Sequence, residues 1–172
     1  GVVAMRWWNA LTDEGHGYRA ARAKLKRCED WRDAALEPAA QNLLRRLGVR
    51  PGDGARVEAA LETAILLAHV KDHDPQKLMR AAGCKTPPVN NRIDPPPRLS
   101  PVRFKRLLRS DANEITRALI RLTRLLGDVA NVFELAEARL DWSEEERAAR
   151  RRRSWAFDYY AASETNIDAA NR

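Results

Sequence analysis

The apolar positions of this chain recur at helical spacing. Leu36, Ala40, Leu43, Leu44 and Leu47 follow the i, i+4, i+7, i+8, i+11 pattern of one buried helix face. From Ala59 to Val70 only Glu62, Thr63 and His69 are polar, so this stretch predicts a helix that is apolar on most sides and central to the fold. Phe104, Leu107 and Leu108 mark the buried side of a further helix. At ~100° per residue, Leu119, Leu122 and Leu126 all fall within about 40° of Ile115 and form a tight core stripe. The pattern predicts helices at about 2–12, 18–28, 37–47, 54–71, 75–82, 101–109, 112–126, 132–141 and 143–163. No segment sustains period-2 alternation with β-branched residues, so no strand is expected. The expected class is all-α, a helical bundle protein.

Glycine and proline set the punctuation. Breaks fall at Gly15 and Gly17, from Gly48 to Gly54, at Gly83 and at Gly127. Six of nine prolines lie between Pro87 and Pro101, so Lys85 to Ser100 reads as a linker or long loop. The expected organisation is an N-terminal helical bundle (1–84), a proline-rich linker (85–100) and a C-terminal bundle with a basic face (101–172). Helix starts are marked by Ser100 before Pro101, and by the pairs Asp111/Glu114, Asn131/Glu134 and Ser143/Glu146. Pro38 and Pro75 suit first-turn positions, where a missing N–H costs nothing.

Composition narrows the class. The 172 residues are 44% hydrophobic, too apolar for a disordered chain. No apolar run approaches the ~18 to 20 residues of a membrane helix, and no basic-then-apolar leader opens the chain. Cys28 and Cys84 make no disulfide framework, so a reducing, cytoplasmic compartment is expected.

Charge changes the picture most. The net charge is +7, from 31 basic and 24 acidic residues. A basic balance suggests a polyanionic partner. Codon bias in a GC-rich genome explains an arginine excess over lysine, but not where the arginines sit. Arg117, Arg121 and Arg124 stack at i, i+4, i+7 on the face opposite the Ile115 stripe, where like charges repel. Arg103, Lys105, Arg106 and Arg109 occupy the polar side of the preceding helix. From Arg98 to Arg124 there are eight basic residues and two acids, a local +6. Guanidinium grips phosphate bidentately, so two neighbouring arginine faces suit a nucleic-acid backbone. A solvated helix face is the plain alternative. A second cluster, Arg19, Arg22, Lys24, Lys26 and Arg27, is diluted by Glu29, Asp30 and Asp33 and reads either way. Arg150 to Arg153 span ~300° of helical arc, so they cannot all face one ligand, and Glu146–Arg150 and Glu144–Arg147 suit ordinary helix ion pairs.

No catalytic residue, metal site or cofactor is expected. His69 and His73 are four apart but lack further ligands at suitable spacing, and His16 stands alone. His73-Asp74 resembles the doublet of metal phosphohydrolases without their upstream His and downstream Asp. There is no glycine-rich phosphate loop, no GxSxG and no CxxC. Trp7, Trp8, Trp31, Trp142 and Trp155 suit core or interface anchors better than base-stacking platforms.

The runs RFKRLLRSDANEITRALIRLTRLL, NVFELAEARLDW and RRRRSWAFDYY, with RWWNAL, GYRAARAKLKRCEDW and LEPAAQNLLRRLG, resemble the CasB family, the small subunit of the type I-E CRISPR Cascade complex. The resemblance implies a non-enzymatic helical protein, present in two copies along a crRNA-guided complex. It would touch the backbone and large subunits and help hold target and displaced DNA strands in the R-loop. No small-molecule substrate and no membrane are implied. By position, the family's basic residues fall on Arg103, Arg121 and, less closely, Arg150; face geometry adds Arg106, Arg109, Arg117 and Arg124. Two other readings stay open: a helical DNA-binding regulator, and a structural bridge whose basic faces meet acidic proteins.

Overall fold

The computed structural model describes residues 1–13, 18–85 and 96–170, the last eight of these as helix backbone only. Expectations at Gly15, His16, Gly17 and most of the proline-rich stretch lie outside the described residues. Among the described residues, ten helices and one pair of two-residue strands follow in the order α1 (Val2–Thr12), α2 (Tyr18–Arg27), α3 (Trp31–Ala35), α4 (Pro38–Arg46), α5 (Ala55–Ala68), β1 (Asp72–His73), α6 (Leu78–Gly83), α7 (Pro101–Arg109), α8 (Ile115–Leu125), β2 (Val129–Ala130), α9 (Val132–Asp141) and α10 (Glu145–Ala170). The all-α class holds.

The apolar stretch from Ala59 is the centre. Every residue of α5 from Ala59 to Ala68 is buried, and α2, α3, α4, α8 and α9 all pack on it. One continuous cluster of buried side chains runs from Ala4 in α1 to Tyr159 in α10. α9 packs on α1 as well as α5, and α10 packs along α6. At that last contact only glycine fits: a Cβ on Gly83 would lie 2.4 Å from the Tyr159 carbonyl oxygen. Four of the five tryptophans are buried and anchored by their indole N–H. Trp7 donates to Ala39 O, Trp8 to Val70 O, Trp142 to Ser110 O and Trp155 to Glu134 Oε1.

A buried polar network ties three helices. Glu62 of α5 accepts from Arg139 Nε of α9 at 3.1 Å and from the Thr116 hydroxyl of α8, which in turn accepts from Arg139 Nε at 2.7 Å. Arg139 is 3% exposed, and its Nη1 has no partner among the described residues. Burial lowers the Arg139 pKa, and the Glu62 carboxylate opposes that shift.

Several expectations need correction. β1 and β2 pair in parallel, Asp72 with Val129 and His73 with Ala130, where no strand was expected; two residues are too few to show alternation. α3 is an unforeseen helix, five residues long and capped by Asp30, whose carboxylate accepts from Arg32 N at 2.7 Å. Pro75 is not in a first turn: α6 begins at Leu78, whose N–H donates to Glu134 Oε2 of α9, a cap supplied from a distant helix. Ser143 Oγ donates back to Leu140 O at 2.7 Å rather than capping α10, and α10 starts at Glu145 and runs to Ala170.

Candidate nucleic-acid interface

α7 is placed by its ends and its aromatic side. Arg98 N donates to Cys84 O and Leu99 N to Ala82 O, fastening the chain just before the helix. Ser100 Oγ accepts from Arg103 N, and Pro101 takes the first helical position. Phe104 stacks on Tyr159 with centroids 4.0 Å apart, and the Tyr159 hydroxyl donates to Leu99 O. Asp111 Oδ1 accepts from Asn113 N and Glu114 N, turning the chain into α8. Ile115, Leu119, Leu122 and Leu126 are all buried there, as the helical arithmetic requires.

Burying those faces turns Arg103, Arg106 and Arg109 of α7 and Arg117, Arg121 and Arg124 of α8 outward, and all six are exposed. Among the described residues, no carboxylate forms an ion pair within 4.0 Å with any of them. Arg103, Arg106, Arg121 and Arg124 line a cleft of about 530 Å³ between α7 and α8. On the other side of α8, Arg117, Arg121 and Arg124 face Lys26 of α2 across a groove of about 740 Å³ that reaches Glu29, Asp30, Glu62 and His69. Arg121 and Arg124 therefore stand on the ridge shared by both concavities. Arg109 joins Arg106 and Lys105 in a shallower recess of about 340 Å³ that also contains Glu114.

Arg124 and Lys26 both act on His69, which lines the groove beside them. Burial first, then the charges of Arg124 and Lys26, lower the His69 pKa to about 4, with Asp128 opposing. Burial, Arg22 and Arg124 likewise lower the Lys26 pKa. His69 is thus a neutral, buried imidazole near pH 7. His73 lies elsewhere: its Nδ1 accepts from Val132 N at the start of α9. Among the described residues, no group of three or more His, Cys, Asp or Glu could hold a metal ion.

The other basic clusters are mostly engaged within the protein. Arg22 donates from Nε to Ala68 O at 2.8 Å and from Nη2 to Val70 O at 2.7 Å, capping α5, where a cation suits the helix dipole. Lys24 lies 4.0 Å from Glu37. Arg150 pairs with Glu146 at 2.8 Å, Arg151 with Asp141 at 2.7 Å, Arg152 with Glu145 at 2.7 Å, and Arg147 with Glu144 at 2.9 Å. Arg150 borders a separate recess with Asp141 and Ser154 and lines neither concavity of the α7–α8 face. Lys26, whose cluster reads either way in the sequence, lines the groove, and Leu125, which the sequence does not single out, lines the cleft. The same ~100° arithmetic places Leu125 about 40° from Arg121, so that signal was present.

Fold and site together define a class: an all-α protein with a cationic two-helix face. The comparisons give the family. A family model described as CRISPR-associated protein Cse2 matches residues 21–160, and the chain belongs to that family. The resemblance to the CasB subunit of type I-E Cascade is upheld. A chain in the crystal structure of E. coli Cascade bound to a PAM-containing dsDNA target superposes with a TM-score of 0.65 at 20% identity, covering 94% of this chain and 97% of that one. CasB from Thermus thermophilus matches with a TM-score of 0.63 at 23% identity, covering 92% and 97%. No curated protein sequence matches the chain. Among the described residues no helix is long and apolar enough to cross a membrane.

Proposed function

We propose that this chain is the non-catalytic small subunit of a crRNA-guided Cascade complex and holds nucleic-acid backbone, without sequence preference, to stabilise the R-loop. One observation carries the reading: six guanidiniums on adjacent helices face outward without a carboxylate partner among the described residues. Mutual repulsion makes such a face costly unless a polyanion neutralises it. A face of arginines on phosphate positions a strand and reads no sequence, as a subunit serving any guide requires. Replacing duplex by heteroduplex is nearly balanced in free energy, so backbone contacts can tip it. The solved Cascade structure that resembles this fold holds a dsDNA target, which agrees with the assignment. Exposed Phe157 and Val102 offer apolar contacts to neighbouring subunits or to a second copy. Arg150, engaged by Glu146, is a lesser contributor.

The test is Arg103→Ala, Arg121→Ala and Arg124→Ala together in the assembled complex, with target DNA affinity measured against salt. Each lost phosphate contact removes about 0.7 to 0.9 from the slope of log K against log salt, so the slope should fall by about 2 to 3. Unchanged affinity and slope, with normal assembly, refutes the reading.

A further inference from the structure

We infer that the cleft between α7 and α8 receives an unstacked nucleobase of a single strand. The inference rests on the backbone-holding role above and adds what is held besides phosphate. A phosphate track needs only cations on an open surface. Here the guanidiniums of Arg103, Arg106, Arg121 and Arg124 surround a concavity of about 530 Å³, within the ~300–1,000 Å³ typical of ligand sites. Its floor is apolar: Leu99, Leu107 and Leu122 are buried beneath it, and Leu125 is 39% exposed beside the arginines.

A ring of cations around an apolar floor fits a ligand that is flat and apolar in its body and anionic along its edge. An unstacked nucleotide has that chemistry. Bases lie against apolar side chains and guanidinium planes, while the same guanidiniums bind the flanking phosphates. Bases in a duplex are already stacked, so the cleft favours single strands. Apart from its guanidiniums it carries little to read a base by. Ser110 is the one uncharged polar side chain lining it; its hydroxyl proton is committed to Arg106 O, and its carbonyl accepts from Trp142. Only the guanidiniums remain as donors to a base edge, and they reach phosphate as readily as guanine O6 and N7.

The experiment uses the full chain and three fluorescent probes with equal numbers of phosphates: an oligothymidylate, its abasic counterpart and a duplex. The oligothymidylate should bind roughly tenfold more tightly than the abasic strand at the same salt, the scale of one base contact. Leu125→Ser should abolish that preference without changing the salt slope, because all the cations remain. Leu125→Met should retain it. Equal affinity for the thymidylate and abasic strands overturns the inference and leaves the phosphate track standing. Binding to none of the three probes, even at low salt, overturns both readings. Capture of an acidic amphipathic peptide, with no binding of either single strand, assigns the cleft to a protein and also overturns the inference.

Discussion

Replacing Arg139 with methionine tests whether the buried network under the basic face is a stabilising unit. In the wild-type protein, Arg139 Nε contacts Glu62 Oε2 at 3.1 Å and Thr116 Oγ1 at 2.7 Å, and its Nη2 lies 3.1 Å from Glu62. Arg139→Met would leave the buried Glu62 carboxylate with the Thr116 hydroxyl as its one partner among the described residues. Removing one member of a buried ion pair costs about 3–5 kcal/mol, mostly the uncompensated charge. At about 2–4 °C per kcal/mol for a chain of this size, the melting temperature should fall by roughly 6–20 °C. The double variant Glu62→Leu/Arg139→Met removes both charges. It should recover to within about 1 kcal/mol of wild type, or exceed it, because buried ion pairs repay their desolvation poorly. The unpartnered Nη1 of Arg139 points the same way, since it was dehydrated with no bond gained among the described residues. Urea and thermal unfolding of the two single variants and the double, followed by circular dichroism, give the coupling energy. A single-variant cost below about 1 kcal/mol, or strictly additive costs in the double, refutes the argument.

Two more predictions concern stability. His69 titrates at about 4 in the folded chain and near 6.5 when unfolded. The unfolded state therefore takes up this proton first as pH falls. Its contribution is complete above pH ~6.5 and declines towards pH 4, by up to about 3 kcal/mol, and His69→Gln should flatten that limb in urea midpoints taken across pH. Gly83→Ala should cost about 1–3 kcal/mol by thermal melting, because its methyl group would meet main chain of α10 and not a side chain able to turn away.

Much of the α7–α8 face was legible in the sequence because helical periodicity constrains both sides of an amphipathic helix together. Burying Ile115, Leu119 and Leu122 leaves Arg117, Arg121 and Arg124 nowhere to point but outward. Caps that depend on residues three apart, at Ser100 and Asn131, were readable for the same reason. Features set by distant partners were not. Nothing near Leu78 announces that Glu134 will cap it, and nothing near Arg22 announces that it will close the end of α5. Charge composition could not separate Arg22, which is spent internally, from Lys26 four residues on, which lines the groove. Nor could periodicity show that α9 would lie against α1 and α5, across the proline-rich stretch.

The small parallel pairing of β1 with β2 has a mechanical consequence. Lys71 N donates to Asp128 O at 2.7 Å and Asp74 N to Ala130 O at 3.1 Å, just beyond the last turn of α8. Tension applied by a strand pulling on Arg124 thus has a covalent and main-chain route into the central helix, bypassing side chains that could slip. Arg103 and Arg106 stand on a helix tethered at its start instead, where Arg98 N donates to Cys84 O and Leu99 N to Ala82 O, and seated by Phe104 against Tyr159. Under load, the two walls of the cleft should pass force to different places, the α8 wall into the central helix and the α7 wall into the end of α6.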